Sequence, residues 1–198
     1  MPSLSVIRIV LKDMDTIGLF YGSFFGNTER AAGEIKRALE RIADVTVDVI
    51  NIGKVKAEAM LVYERLILGI STWDIGQWQY EWDAKRKAIE KMNFSGRRVA
   101  LFGLGDQAAY ASTFQDAMGQ LARLVRARGA VLVGAWPADG YAHDASDAIE
   151  DGMFLGLALD NDNQAHLTAS RIAAWTRQIA VEFGLRLRAP EDAQVVAR

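Results

Sequence analysis

The residues of this chain best suited to chemistry are small and polar. Gly22, Ser23, Gly26, Asn27 and Thr28 lie between an apolar run, Ile17 to Tyr21, and a charged, periodic one. Gly22 and Gly26 allow positive φ and close approach of the backbone to a ligand. A helix opening at Asn27 would add unpaired N–H groups and a positive dipole end. Such a loop suits an anion. It contains no Lys, so G-x-x-x-x-G-K-[ST] is not met and a monophosphate fits better than a triphosphate. An ordinary βα turn before a capped helix would have the same composition, and these residues alone do not separate the two.

Two more loops follow apolar runs. Leu66 to Ile70 leads into Ser71-Thr72-Trp73-Asp74-Ile75-Gly76, and Arg98 to Gly103 leads into Leu104-Gly105-Asp106-Gln107, with Tyr110 just beyond. Trp73 and Tyr110 sit on turns and not on a helical stripe, so together they could sandwich a flat ring system. A lone loop Trp is more often packing, but three such loops brought to one place favour a ligand.

Other chemistries are excluded by composition. The chain has no cysteine, which removes disulfides, thiolate zinc sites, nucleophilic thiols and iron–sulfur clusters. His143 and His166, the two histidines, lie far apart in polar sequence and read as surface residues, not a metal site. Net charge is −2, yet Asp139, Asp144, Asp147, Glu150, Asp151, Asp160 and Asp162 fall in a stretch free of Lys and Arg, whereas Lys85, Arg86, Lys87, Lys91, Arg97 and Arg98 cluster earlier. This balance argues against nucleic acid and for a basic protein partner, with a merely solvated acidic loop as the alternative. No apolar run approaches the length of a membrane helix, and a cytoplasmic monomer is expected.

The elements that must position these loops follow from periodicity. Asn27 to Ile42 carries one buried helical stripe through Ala31, Ile35, Ala38, Leu39 and Ile42. Val45, Val47 and Val49 alternate with polar residues as on an edge strand, whereas Leu66 to Ile70 and Arg98 to Gly103 are apolar throughout, as central parallel strands are. Helices are expected at Gln77 to Met92, at Thr113 to Arg128 with Gly129 as its stop, and at Thr168, as cap, to Phe183. Ala130 to Trp136 reads as the fifth strand. After it come polar and small residues before a second apolar piece, Met153 to Leu159, so the last strand is expected to be split by an insertion. Alternating strands and helices give an α/β doubly wound five-stranded parallel sheet, and the order 2-1-3-4-5 puts the half-polar second strand at an edge. Residues 1–15 read as an N-terminal extension, 16–184 as the domain, and 185–198 as a mobile C-terminal tail.

Five passages in this order resemble the flavodoxins of the long-chain kind, with a flavodoxin-like fold: Gly22 to Thr28, Leu68 to Gly76, Ala100 to Tyr110, Val133 to Tyr141 and Gly156 to Gln164. The resemblance implies non-covalent FMN. By analogy Ser23, Asn27, Thr28 and the N–H groups from Phe24 through Phe25 and Gly26 to Thr28 hold the phosphate. Trp73 and Tyr110 flank the isoalloxazine, Asp106 and the Gln107 N–H bind its pyrimidine edge, and Asp162 lies near the flavin. The Asp74–Ile75 peptide matches the one that turns over on one-electron reduction, and Ser71, Thr72, Gly76, Leu104, Gly105 and Thr113 complete the matched site. The chain departs from the family at Phe25, where a hydroxyl residue is usual, at Phe24, often polar, at Ser71, often Pro, and at Thr113, often Asn. The implied function is that of a low-potential one-electron carrier between a NADPH-dependent flavoprotein reductase and a reductive acceptor enzyme, docking through acidic surface near the flavin. The rivals are a flavodoxin-like NAD(P)H quinone or azo reductase and a flavin-free interaction domain.

Overall fold

The computed structural model describes residues 15–189. Five parallel strand positions form its main sheet. β1 (Asp15–Tyr21) lies between β2 (Val45–Asn51) and β3 (Arg65–Trp73), and β3 pairs in turn with β5 (Arg98–Leu104). The fifth position is shared. β6 (Val131–Val133) runs beside Arg98 to Ala100, and β10 (Leu157–Leu159) runs beside Phe102 to Leu104. The order is therefore the expected 2-1-3-4-5 with its last strand split.

The split has a local cause. Gly134 takes φ 79, which ends β6 before Trp136, where the expected strand would have continued. The inserted residues build a small antiparallel sheet from β7 (Trp136–Pro137), β8 (Ile149–Glu150) and β9 (Met153–Phe154). The second apolar piece is thus two elements, β9 and β10, and not one strand.

Both faces of the sheet are covered, and the period-2 alternation decides which residue goes where. Ile17, Leu19, Ile67, Ala100, Phe102 and Leu159 pack with α1 (Asn27–Ile42) and α5 (Ala165–Glu182), through Ile35, Leu39, Trp175 and Ile179. Phe20, Leu66, Leu68, Ile70, Val99 and Leu101 face α4 (Asp116–Ala127), through Met118, Leu121 and Val125. β2 is an edge, with Val45 and Val47 buried and Thr46 and Asp48 half-buried between them, as its alternating sequence implies.

The expected helix from Gln77 to Met92 does not form. Gln77 and Trp78 fold back as β4 against Trp73 and Thr72. The buried Gln79 side chain then accepts from the N–H groups of Glu81 and Trp82, starting a short helix, α2 (Tyr80–Asp83), with α3 (Arg86–Ile89) after it. A side-chain cap in the interior of the expected helix starts a new element there. α4 begins at Asp116, after a 3-10 turn at Ala111–Thr113 and a left-handed Gln115, and stops at Gly129 as expected. α5 starts at Ala165, and the Thr168 hydroxyl bonds Asn161 Oδ1 (2.8 Å) instead of capping the helix.

Asp15, placed by sequence in the extension, opens β1 and pairs with Arg65 (2.8 Å). The first residues of the expected tail are tied down. Leu185 is buried, Leu187 bridges Ala43, and Arg188 Nε bonds Asp44 Oδ1 (3.0 Å). Residues 1–14 and 190–198 of the two expected extensions lie outside the described residues. Among the described residues, no helix is long and apolar enough to cross a membrane.

Candidate functional site

The carboxyl ends of β1, β3 and β5 converge on a cleft of about 230 Å³, lined by Ser23, Phe24, Phe25, Asn27, Thr28, Ser71, Thr72, Trp73, Leu104, Gly105, Asp106, Tyr110, Asn161 and Asp162. In a doubly wound sheet this edge, where strand order reverses, is where ligands bind.

The loop after β1 is shaped by two glycines that act differently. Gly26 is left-handed, φ 82, and caps α1 without a side-chain bond. Gly22 does not take positive φ. A side chain there would collide with Gln79 Oε1 and Trp82 Cδ1, so close packing is its reason, not turn geometry. The Ser23 hydroxyl accepts from the Gly26 N–H (3.0 Å) and keeps its own proton to donate. The Ser23 N–H is held by Glu81 Oε2 (2.9 Å), a carboxylate behind the loop that sequence reasoning missed. Among the described residues, the N–H groups of Phe24, Phe25, Asn27, Thr28 and Glu29 have no protein acceptor. A run of free amides at a helix N-terminus, beside the Ser23, Asn27 and Thr28 side chains and without Lys, fits a phosphate monoester.

Above the loop stand four aromatics. Phe24 meets Phe25 edge-on (centroids 4.8 Å), Trp73 (5.8 Å) and Tyr80 (6.1 Å). Phe24 and Phe25 remain 61% and 81% exposed, so neither is a core residue. Trp73 is half-buried, with its Nε1 donating to Ser71 Oγ (3.0 Å). Tyr110, 48% exposed, stands on the loop after β5 and also borders the cleft.

The carboxylates are unequal. Asp106 Oδ1 accepts from Ala109 N–H (2.9 Å), Ala108 N–H (3.0 Å) and Asn163 Nδ2 (2.8 Å). The Ala109 amide foremost holds its carboxyl below the usual range, against burial and with help from Asn163 and Ala108. The carboxyl of Asp162 is pushed up, by burial first and then by the charges of Asp106 and Asp160. Buried Asp160 also shapes the site, since it accepts from the N–H groups of Gln107 (3.1 Å), Asp162 (3.0 Å) and Asn163 (2.9 Å). The Gln107 N–H, expected on a pyrimidine edge, is therefore engaged by Asp160, and its side chain turns to the Ala142 N–H. Gln107 and Thr113 do not line the cleft, whereas Asn161, which sequence reasoning missed, does. Gly26, Asp74, Ile75 and Gly76 lie in the backbone turns beside it, the last three in the β3–β4 connection.

The acidic stretch is only partly free. Arg126 forks onto Glu150 with two bonds of 2.7 Å, Arg123 pairs with Asp147 (3.3 Å), and Asp160 is buried. His143, expected at the surface, lies half-buried against Phe114 (5.4 Å) and Phe154 (5.6 Å). Among the described residues, no cluster could hold a metal ion.

The flavodoxin family profile matches residues 19–175. A flavodoxin of Picosynechococcus sp. is 44% identical over 172 residues, covering 87% of this chain and 100% of that one. Flavodoxin 1 of Escherichia coli is 43% identical over 173 residues, covering 87% and 97%. The solved structure of Fusobacterium nucleatum flavodoxin bound to flavin mononucleotide matches with TM-score 0.80 and 34% identity over 85% of this chain and 99% of that one. With a profile match over most of its length, relatives above 40% identity and a split fifth strand on a 2-1-3-4-5 sheet, the chain belongs to the flavodoxin family.

Proposed function

We propose that the protein binds FMN in this cleft and carries single electrons between a flavoprotein reductase and a reductive acceptor enzyme. The observation that carries the reading is the convergence of a Lys-free loop of free amides with Trp73 and Tyr110 at the ends of three neighbouring strands. Flavodoxins are electron carriers, not enzymes, and the chain's membership disfavours the quinone or azo reductase rival. The unit responsible is taken as the domain read at 16–184 together with Asp15 and Leu185 to Arg188, which pack on it, working as a cytoplasmic monomer.

The bound flavin supplies the redox chemistry, accepting and releasing one electron at a time. The chain's own residues bind and tune it. The free amides of Phe24, Phe25, Asn27, Thr28 and Glu29 and the Ser23 and Thr28 hydroxyls would receive the phosphate dianion. Trp73 and Tyr110 cover ring faces and exclude water. Asp106 and Asp162 place negative charge near the ring edge, so adding the second electron to a site of low dielectric is disfavoured and the potential falls. Of the acidic stretch, Asp162 borders the cleft, and Asp139, Asp144 and Asp151 remain for a basic partner.

The test is a titration of apoprotein with FMN and with FAD. Tighter binding of FMN, with inorganic phosphate competing, is expected, because the loop closes on a terminal monophosphate. Equal or tighter binding of FAD would sink the phosphate-loop reading, and a protein that takes up neither would select the flavin-free alternative.

A further inference from the structure

The connection between β3 and β4 is gripped on both sides by α4. Before the turn, the Ala117 N–H of α4 donates to Thr72 Oγ1 (3.2 Å). After it, Gln120 Nε2 donates to the Gly76 carbonyl (3.2 Å). The Gln120 amide has one allowed orientation. Its Oε1 accepts from Trp78 Nε1 (3.0 Å) and Arg86 Nη2 (3.3 Å), both donors only, and the Arg86 guanidinium lies 4.4 Å over the Trp78 ring. A flipped amide would set N–H against N–H twice and oxygen against the Gly76 oxygen.

Within the turn, the Gly76 N–H returns to the Trp73 carbonyl (3.1 Å). Asp74 is left-handed at φ 46, a conformation that costs a non-glycine residue energy, and Ile75 is 78% exposed. The Asp74–Ile75 peptide hydrogen-bonds to no described residue. One unbonded peptide therefore stands between two clamped ends, directly after Trp73, which lines the cleft.

We propose that Gln120 is a positioning residue that fixes the Gly76 end of this turn, so that the Asp74–Ile75 peptide alone adjusts to the redox state of the bound ring. The inference rests on the FMN reading above. A peptide held at both ends can rotate by paired changes at Asp74 ψ and Ile75 φ without moving its neighbours. With the Gln120 bond lost, the Gly76 end is held only by its own N–H to the Trp73 carbonyl and by the β3–β4 pairing, so a rotation of the Asp74–Ile75 peptide would also have to order that end, which costs conformational entropy.

The experiment compares FMN-loaded parent, Gln120→Leu and Gln120→Glu by potentiometry, with hydrogen exchange of the Gly76 amide measured on the apoproteins. Gln120→Glu keeps an acceptor for Trp78 and Arg86 but offers no donor to the Gly76 carbonyl. In both variants the one-electron-reduced fraction at half-reduction should fall on the order of fivefold, as the loss of one good hydrogen bond implies. The Gly76 amide should exchange faster. Binding of oxidised FMN and the unfolding midpoint of Gln120→Glu should stay near the parent's. Parental potentials and exchange in Gln120→Glu would overturn the inference, as would a common shift of both one-electron steps that tracks weaker binding of oxidised FMN. A parent that binds no FMN would sink the functional reading and this inference with it, whereas unchanged variants of an FMN-loaded parent sink the inference alone.

Discussion

Two aromatic clusters use the same edge-to-face geometry for opposite ends. At the cleft, Phe24 meets Phe25 and Trp73 at near right angles, and the two phenyl rings lie mostly in water. Under the insertion, Phe154 meets Tyr141 (5.1 Å), His143 (5.6 Å) and Phe114 (5.9 Å), with Phe154 and Phe114 fully buried. In the inner cluster the Tyr141 hydroxyl is satisfied, whereas His143 Nε2 is buried without a hydrogen-bond partner among the described residues. Tyr141 donates to the Ala158 carbonyl (2.6 Å), accepts from Trp136 Nε1 (3.1 Å), and lies under the Arg171 guanidinium (4.1 Å). Burial pushes its phenol up to about 12. One cluster staples the insertion to the sheet around two fully buried phenyl rings. The other leaves ring faces and edges free, which is what a ligand or partner needs and stability does not.

The sharpest way to break this contrast is Phe154→Ala. Removing a fully buried phenyl at the centre of the inner cluster should cost about 3–5 kcal/mol of apoprotein stability. FMN affinity of the folded protein should change little. Urea unfolding checks it, and an unchanged midpoint would mean that the insertion folds independently of that ring.

Why the contrast could not be read in advance is physical. The central strands were legible because burial on both faces leaves an uninterrupted apolar run, as at Leu66 to Ile70, and the split of the fifth strand because a long polar stretch separated two apolar pieces. The loop of free amides after β1 was legible because its backbone chemistry is local. What failed depends on partners distant in sequence. Gln79 breaks the expected helix only because it is buried and bonded in place, and Gln107 turns from the cleft because Asp160, from beyond the insertion, claims its N–H. Phe25 and Phe154 are both phenylalanines flanked by an aromatic or apolar residue, and nothing local says that one is 81% exposed and the other buried.

At the outer cluster, Phe25→Thr should tighten FMN binding by about 1.5–3 kcal/mol if the new hydroxyl makes one charge-assisted hydrogen bond to the phosphate. The exposure of Phe25 means that little packing is lost with the ring. Equilibrium titration of both apoproteins decides, and unchanged or weaker binding would show that the aromatic pair shields the loop.

Tyr110→Ala should act next most strongly. Its ring is half-exposed and outside both buried cores, so the apoprotein midpoint should barely move. Loss of a stacked ring should weaken FMN binding by about 0.5–1.5 kcal/mol beyond the area it covers. Admitting water should shift the second-electron potential upward. Potentiometry alongside urea unfolding measures this, and a fixed potential with a large loss of stability would return Tyr110 to the core.

The smallest expected effect is that of Asp162→Asn, which removes one exposed charge from the cleft rim. In its ionised form the carboxylate would oppose the second electron, so the variant's second-electron potential should be higher than the parent's, and less so in high salt. Burial, then the charges of Asp106 and Asp160, raise the Asp162 carboxyl, so the parent takes up this proton above the ordinary carboxylate range. As pH falls through that raised value the parent loses the charge the variant never had, and the two potentials should converge. The neighbouring Asp106 carboxyl is held low by the Ala109 amide and stays ionised across the same interval, so it cannot mimic the effect. Potentials of both proteins measured from neutral to acidic pH at low ionic strength test the assignment. A difference that persists undiminished into acid would mean that Asp162 acts through the shape of the rim and not through its charge.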